Sequence, residues 1–183
     1  MGGWIALGIV GVLLLWAAGT YNALVGKRNK VREAWSGIDV QLTRRADLIP
    51  NLVETVRGYR IHEAEVLEQV TAARAGLIGA KGPRDAAQAE GMLEQALGRL
   101  FAVAEAYPDL KANVNFLELQ RELSKLEEEI AFSRRFYNAL VQELNTAIQR
   151  VPSVIIARMF NFSEAEFFEA DAANRATPEV DFS

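Results

Sequence analysis

The chain has 183 residues, with 24 Asp or Glu against 20 Lys or Arg for a net charge of −4, one histidine and no cysteine. Without thiols there are no disulfides and no cysteine nucleophile, and one imidazole rules out any metal motif that needs two histidines. The charge is uneven: residues 27–60 hold eight Lys or Arg against four Asp or Glu, and the chain beyond them holds twelve against twenty. A basic half suits an anionic leaflet and an acidic half does not suit nucleic acid.

No charged side chain precedes Lys27. From Trp4 to Tyr21 the chain is almost wholly apolar, with three glycines and no proline. Eighteen helical residues rise roughly 27 Å, close to the hydrocarbon thickness of a bilayer. Residues 1–26 are therefore expected to be a transmembrane anchor. Trp4, Trp16 and Tyr21 would sit in the headgroup zone, followed by the basic cluster Lys27, Arg28, Lys30 and Arg32. A cleaved signal peptide is the rival reading. It fits less well, because the positive charge follows the apolar core and Ala17-Ala18-Gly19 is a poor cleavage site. The positive-inside bias then predicts a single pass through the cell (inner) membrane, with the N-terminus outside and the rest cytoplasmic.

Residues 27–169 read as helix nearly throughout. Val31, Trp35, Ile38 and Leu42 recur at three- and four-residue steps. Asp47 can cap a new helix with Pro50 in its first turn, or Pro50 can kink one long helix, and the sequence leaves both open. The pattern resumes through Leu52, Val56, Leu67 and Val70 and stops near Gly76 and Gly79. Gly82-Pro83 marks a loop. A helix is expected over 84–106, a break at Tyr107-Pro108, then the longest helix over 110–149, with an apolar spine including Val114, Leu123, Leu126, Ile130, Phe136 and Leu144. A short apolar segment follows from Val154 to Phe168, and residues 170–183 read as a disordered acidic tail. Helices with one apolar stripe must bury it against each other, so the expected fold is all-α. It is an anchor followed by an elongated antiparallel up-and-down bundle of about four helices, packed in coiled-coil fashion.

Tyr21-Asn22-Ala23-Leu24-Val25 with Asn29 reappears as Tyr137-Asn138-Ala139-Leu140-Val141 with Asn145. Either two amphipathic helices coincide here, or the segments occupy similar packing sites where Asn fixes register. The chemistry is sparse. His62-Glu63 starts like a zinc-protease motif but lacks the second histidine. The glycines at 76, 79 and 82 lack the spacing and Lys-Ser/Thr ending of a phosphate loop. Glu127, Glu128 and Glu129 read as a solvated helix face. No acid, base and nucleophile converge, so neither an enzyme nor a cofactor nor a small-molecule substrate is expected.

Several stretches resemble the LemA family of bacterial membrane proteins. They are Tyr21-Asn22 with Leu24-Val25 and Arg28-Asn29; Ala34-Trp35-Ser36 with Ile38-Asp39-Val40-Gln41-Leu42; and, most specific, Arg44-Arg45 with Asp47-Leu48-Ile49-Pro50-Asn51-Leu52-Val53. Later matches are His62-Glu63, Ala73-Arg74, Tyr107-Pro108 with Leu110-Lys111-Ala112-Asn113 and Phe116-Leu117, Arg135 with Tyr137-Asn138, and Phe167-Phe168. The resemblance implies a membrane anchor and a cytoplasmic up-and-down bundle, and it implies no particular reaction.

The Arg44–Asn51 stretch has two readings: a helix break that the bundle requires, or an exposed polar patch that a partner reads. The expected function is a non-enzymatic, membrane-anchored scaffold or adaptor that binds a protein or further copies of itself, beside a membrane protease or an envelope-stress component. Trp35, Arg44, Arg45, Phe167 and Phe168 are its candidate contact residues. The alternative is a membrane-organising protein that binds anionic lipid through the basic juxtamembrane segment.

Overall fold

The computed structural model describes residues 2–59 and 64–169; the tail expected over 170–183 and His62 lie outside them. Among the described residues six helices follow in order: α1 (Gly2–Arg57), α2 (Ala64–Gly79), α3 (Pro83–Ala104), α4 (Pro108–Lys111), α5 (Val114–Gln149) and α6 (Ser153–Met159). Among the described residues there is no strand. The fold is all-α, as the periodicity requires.

The described residues form two compact units, 2–36 with 135–166 and 37–134 with 167–169. In the first, α1 and α5 run antiparallel. Lys27 meets Glu143, and eight residues further along α1 the Trp35 ring meets Tyr137. Leu24 and Val31 of α1 are buried in it, as are Tyr137, Val141, Leu144 and Ile148 of α5. After α6 the chain returns in irregular form, held by the Asn145 side chain. That amide donates to Ala165 O at 2.9 Å and accepts from Ala165 N at 2.8 Å. Tyr137 Oη donates to Glu166 O at 2.8 Å. The paired Tyr and Asn segments are not equivalent: Asn145 and Tyr137 are buried, whereas Asn29 and Tyr21 are exposed.

In the second unit four long helical segments and the short α4 surround one core. Ile38, Leu42, Ile49, Leu52 and Val56 of α1 pack with Leu67 and Val70 of α2, Leu93, Leu97 and Leu100 of α3, and Phe116, Leu123, Leu126 and Ile130 of α5. Each such side chain contributes about 1.5–3 kcal/mol by leaving water. Gly82 (φ +91°) adopts a conformation that side chains resist, and Pro83 opens α3 where its missing N–H loses nothing.

The structure answers what the sequence left open at Pro50 and corrects it elsewhere. Pro50 lies inside one continuous helix, so Asp47 caps nothing. The break falls instead after Arg57, where Gly58 and Tyr59 form a turn, a place that the apolar pattern runs straight across. The helix expected over 110–149 is really α4 and α5, separated at Asn113. Asn113 Oδ1 accepts from Phe116 N at 3.0 Å in an N-cap contact, and its Nδ2 donates to Tyr59 Oη at 2.7 Å. Val114 and Phe136, expected on the spine, are exposed; Phe116 and Tyr137 are buried in their place. Buried positions on α5 recur every seventh residue at 116, 123, 130, 137 and 144. On α1 they recur at 24, 31, 38, 45 and 52.

Candidate functional site

The stretch from Arg44 to Asn51 divides its side chains between core and surface. Arg45 occupies a heptad core position and is only 1% exposed. Its Nη1 bonds Glu90 Oε1 of α3, and Nη2 lies 3.6 Å from Glu127 Oε2 of α5. A guanidinium fits this junction because its fork reaches two carboxylates at once. Burial pushes the Glu90 carboxyl above the ordinary carboxylate value, and Arg45 pulls it back. Arg45 Nε is buried without a hydrogen-bond partner.

One residue later the backbone takes over. Pro50 has no N–H to give the Ala46 carbonyl, four residues before it. Arg74 Nε of α2 donates to that carbonyl at 2.8 Å. Residues 45 and 46 thus tie α1 to α2, α3 and α5 through two arginines. This is a structural junction.

Arg44, Asp47 and Leu48 point the other way. With Glu122, Lys125, Leu126 and Glu129 of α5 they line an open cleft of about 260 Å³. Its rim alternates cationic and anionic groups around two leucines. It can offer charge-assisted hydrogen bonds and a small apolar floor to a polypeptide, but it holds no nucleophile beside a base. Among the described residues no three His, Asp or Glu side chains gather as metal ligands.

The remaining candidate residues are scattered. Trp35 is half-buried against Tyr137 at 5.9 Å between ring centroids. Phe167 is half-buried and Phe168 fully buried. Arg45 and Phe168 are therefore not on the exposed surface: a core heptad position takes the first inward, and the second is packed away with the end of the returning chain. The sequence carries a signal for Arg45, since it lies on the 24–31–38–45–52 stripe.

The basic cluster is built into helix as well. Trp4 and Trp16 are exposed on the apolar stretch. The Tyr21 ring lies 4.8 Å from Phe160, and Arg28 stacks over Phe162 at 4.9 Å. Lys30 and Arg32 are exposed. Lys27 Nζ bonds Glu143 at 2.9 Å, which holds that carboxyl below the ordinary value. This pair edges a second cleft, of about 430 Å³, with Gln142, Thr146, Arg150 and Ser153. None of the window of α1 that is long and apolar enough to cross a membrane is buried within the protein.

A family model described as "LemA family" matches residues 34–182. The chain is 26% identical over 167 residues to Protein LemA of Metamycoplasma hominis, covering 91% of this chain and 76% of that protein. It is 27% identical over 179 residues to Magnetosome protein MamQ 2 of Paramagnetospirillum magneticum, covering 84% of this chain and 66% of that one. Against Magnetosome protein MamQ of Magnetospirillum gryphiswaldense it is 26% identical over 189 residues, covering 87% and 70%. None of these names is that of an enzyme.

Proposed function

The chain belongs to the LemA family, and from that premise we propose that it is a non-enzymatic, membrane-anchored scaffold whose helical units bind a protein partner or further copies of the chain at the cytoplasmic face. One observation carries this reading. The helix whose N-terminal part is apolar enough to cross a bilayer is the same helix, unbroken from Gly2 to Arg57, that supplies core residues to both units. An anchor continuous with its cargo suits holding a surface beside the membrane.

The surface offered is the cleft formed by Arg44, Asp47, Glu122, Lys125 and Glu129, whose charged rim favours a polar, mixed-charge protein segment. Arg44 is the contact residue retained from the sequence; Trp35 and Phe167, half-buried, are secondary ones. A partner in a membrane protease or envelope-stress system is compatible with this placement. The N-terminus would lie outside a single-pass inner-membrane protein, as the Lys27–Arg32 cluster favours.

The test is crosslinking of the full-length chain within native membranes, comparing wild type with the paired charge reversal R44E/K125E. Loss of the crosslinked species in the variant, with its helical signal unchanged, supports the scaffold. Identical species from both chains would remove the cleft from consideration as the binding surface.

A further inference from the structure

Alpha-helix α6 is small, yet its outer face is apolar. Ile155 is 56% exposed and Met159 66%, one helical turn apart, with Val151 at 76% and Phe160 at 51% beside them. Ile156 and Ala157 on the opposite side are buried, so α6 is already docked within its unit and the outer face is surplus to that docking. Four large apolar groups on one short segment exceed what scattered surface residues account for.

Its position along α1 indicates what covers it. The turn after α6 sets Phe160 and Phe162 against Tyr21, with ring centroids 4.8 and 5.7 Å apart, and Phe162 under the Arg28 guanidinium. Tyr21 ends the apolar stretch and Lys27 opens the charged one. The apolar face of α6 therefore stands at the height where α1 passes from hydrocarbon to water. Arg150 and Arg158, both exposed, flank it, and cations beside an apolar face are what an anionic leaflet attracts.

We propose that α6 and its flanking turns form an interfacial foot, with Val151, Ile155, Met159 and Phe160 in the headgroup–acyl boundary of the leaflet that α1 leaves and Arg150 and Arg158 on anionic headgroups. The chain then meets the membrane twice, once through the anchor and once through this foot. The inference rests on α1 crossing the bilayer. It adds a lipid contact on α6 to any made by the exposed Lys30 and Arg32.

The chain has no cysteine, so one introduced thiol carries one polarity-sensitive fluorophore. Full-length M159C, I155C, L13C and E128C are each labelled and reconstituted in phosphatidylcholine–phosphatidylglycerol vesicles, with nitroxide placed either high or deep on the acyl chain. Labels at 159 and 155 are expected to shift to the blue and lose intensity to the shallow nitroxide. The label at 13 should lose it to the deep one, and the label at 128, on an exposed face, to neither. Water-like emission at 155 and 159 beside a quenched label at 13 overturns the foot and leaves the anchor standing. A blue shift without lipid quenching means that protein, such as a second copy, covers α6, and also overturns it. No quenching at 13 removes the anchor and the foot together.

Discussion

Arg74 Nε donates a 2.8 Å hydrogen bond to the carbonyl of Ala46, the acceptor that Pro50 deprives of its intrahelical partner. A proline in mid-helix usually costs about 3 kcal/mol, part of it through that orphaned carbonyl. Here a side chain from α2 supplies the missing donor. The exchange explains how α1 stays continuous and why Arg74 and Pro50 belong to one device, although 24 positions separate them.

The device predicts a coupling. Arg74→Met should destabilise the full-length protein by about 1–3 kcal/mol, the cost of an unsatisfied buried carbonyl. In a Pro50→Ala background the restored N–H satisfies Ala46, and the same substitution should cost markedly less. Thermal unfolding followed by circular dichroism in mild detergent, read as a double-mutant cycle, measures the difference. Equal losses in both backgrounds would show that Arg74 acts elsewhere.

The neighbouring ion pair predicts an inverted pattern. Glu90→Ala leaves the Arg45 charge buried and short of its partner, and should cost about 3–5 kcal/mol. Replacing both residues, Arg45→Met with Glu90→Leu, should cost less than that single change, because burying two charges is itself expensive. The pH dependence follows from the raised pKa. Folded Glu90 holds its proton above the ordinary value of 4.5, so its contribution is fully present below that value and is lost as pH rises through the folded value. In Glu90→Gln, stability measured across weakly acidic pH should lose this decline. A profile parallel to wild type would contradict the assignment.

Much of this architecture is legible in the sequence, and the failures have physical causes. The apolar stretch, the helical periodicity and the Gly82-Pro83 loop each report a local preference, and local preferences survive folding. Arg45 is misread because residue type outweighs position: the heptad stripe through 24, 31, 38 and 52 points it inward, while its charge argues for water. The turn at Gly58 is hidden because Val56 and Leu67 continue the apolar pattern across it. The Asn113 cap escapes notice because Val114 and Leu117 look like more of the same helix. The Arg44–Asn51 stretch is conspicuous as sequence, but its partners Glu90, Arg74 and Glu127 come from three other helices, and no local pattern announces them.

Asn145 governs the returning chain after α6. Its side-chain amide makes both hydrogen bonds to Ala165, which fixes residues 160–166 against α5. Asn145→Ala should destabilise by about 2 kcal/mol, the sum of two modest hydrogen bonds in a buried place. The sharper readout is hydrogen exchange: the amide of Ala165 should lose protection while those of α3 keep theirs. Unchanged protection at Ala165 would mean that the Tyr137 bond to Glu166 suffices to hold the segment.

The pair Lys27–Glu143 ties α1 to α5 six residues beyond Tyr21, where the apolar stretch ends. The hydrogen bond from Lys27, followed by its charge, holds the Glu143 carboxyl below the ordinary value of 4.5. A lowered folded pKa contributes stability above the ordinary value, and that contribution is lost as pH falls through the folded one. Glu143 is exposed, so the effect on stability is small and the titration itself is the better observable. In Lys27→Gln, the Glu143 carboxyl followed by NMR should titrate close to the ordinary value. High salt should move the wild type the same way, since the screening length falls from about 10 Å at 0.1 M to about 3 Å at 1 M. Anionic lipid should act likewise. If Lys27 sits among headgroups, phosphatidylglycerol competes with Glu143 for its ammonium, and the carboxyl rises in anionic but not in zwitterionic micelles. A Glu143 titration indifferent to Lys27→Gln would break the pair; one that responds to Lys27→Gln but not to lipid charge would keep the pair and move Lys27 away from the headgroups.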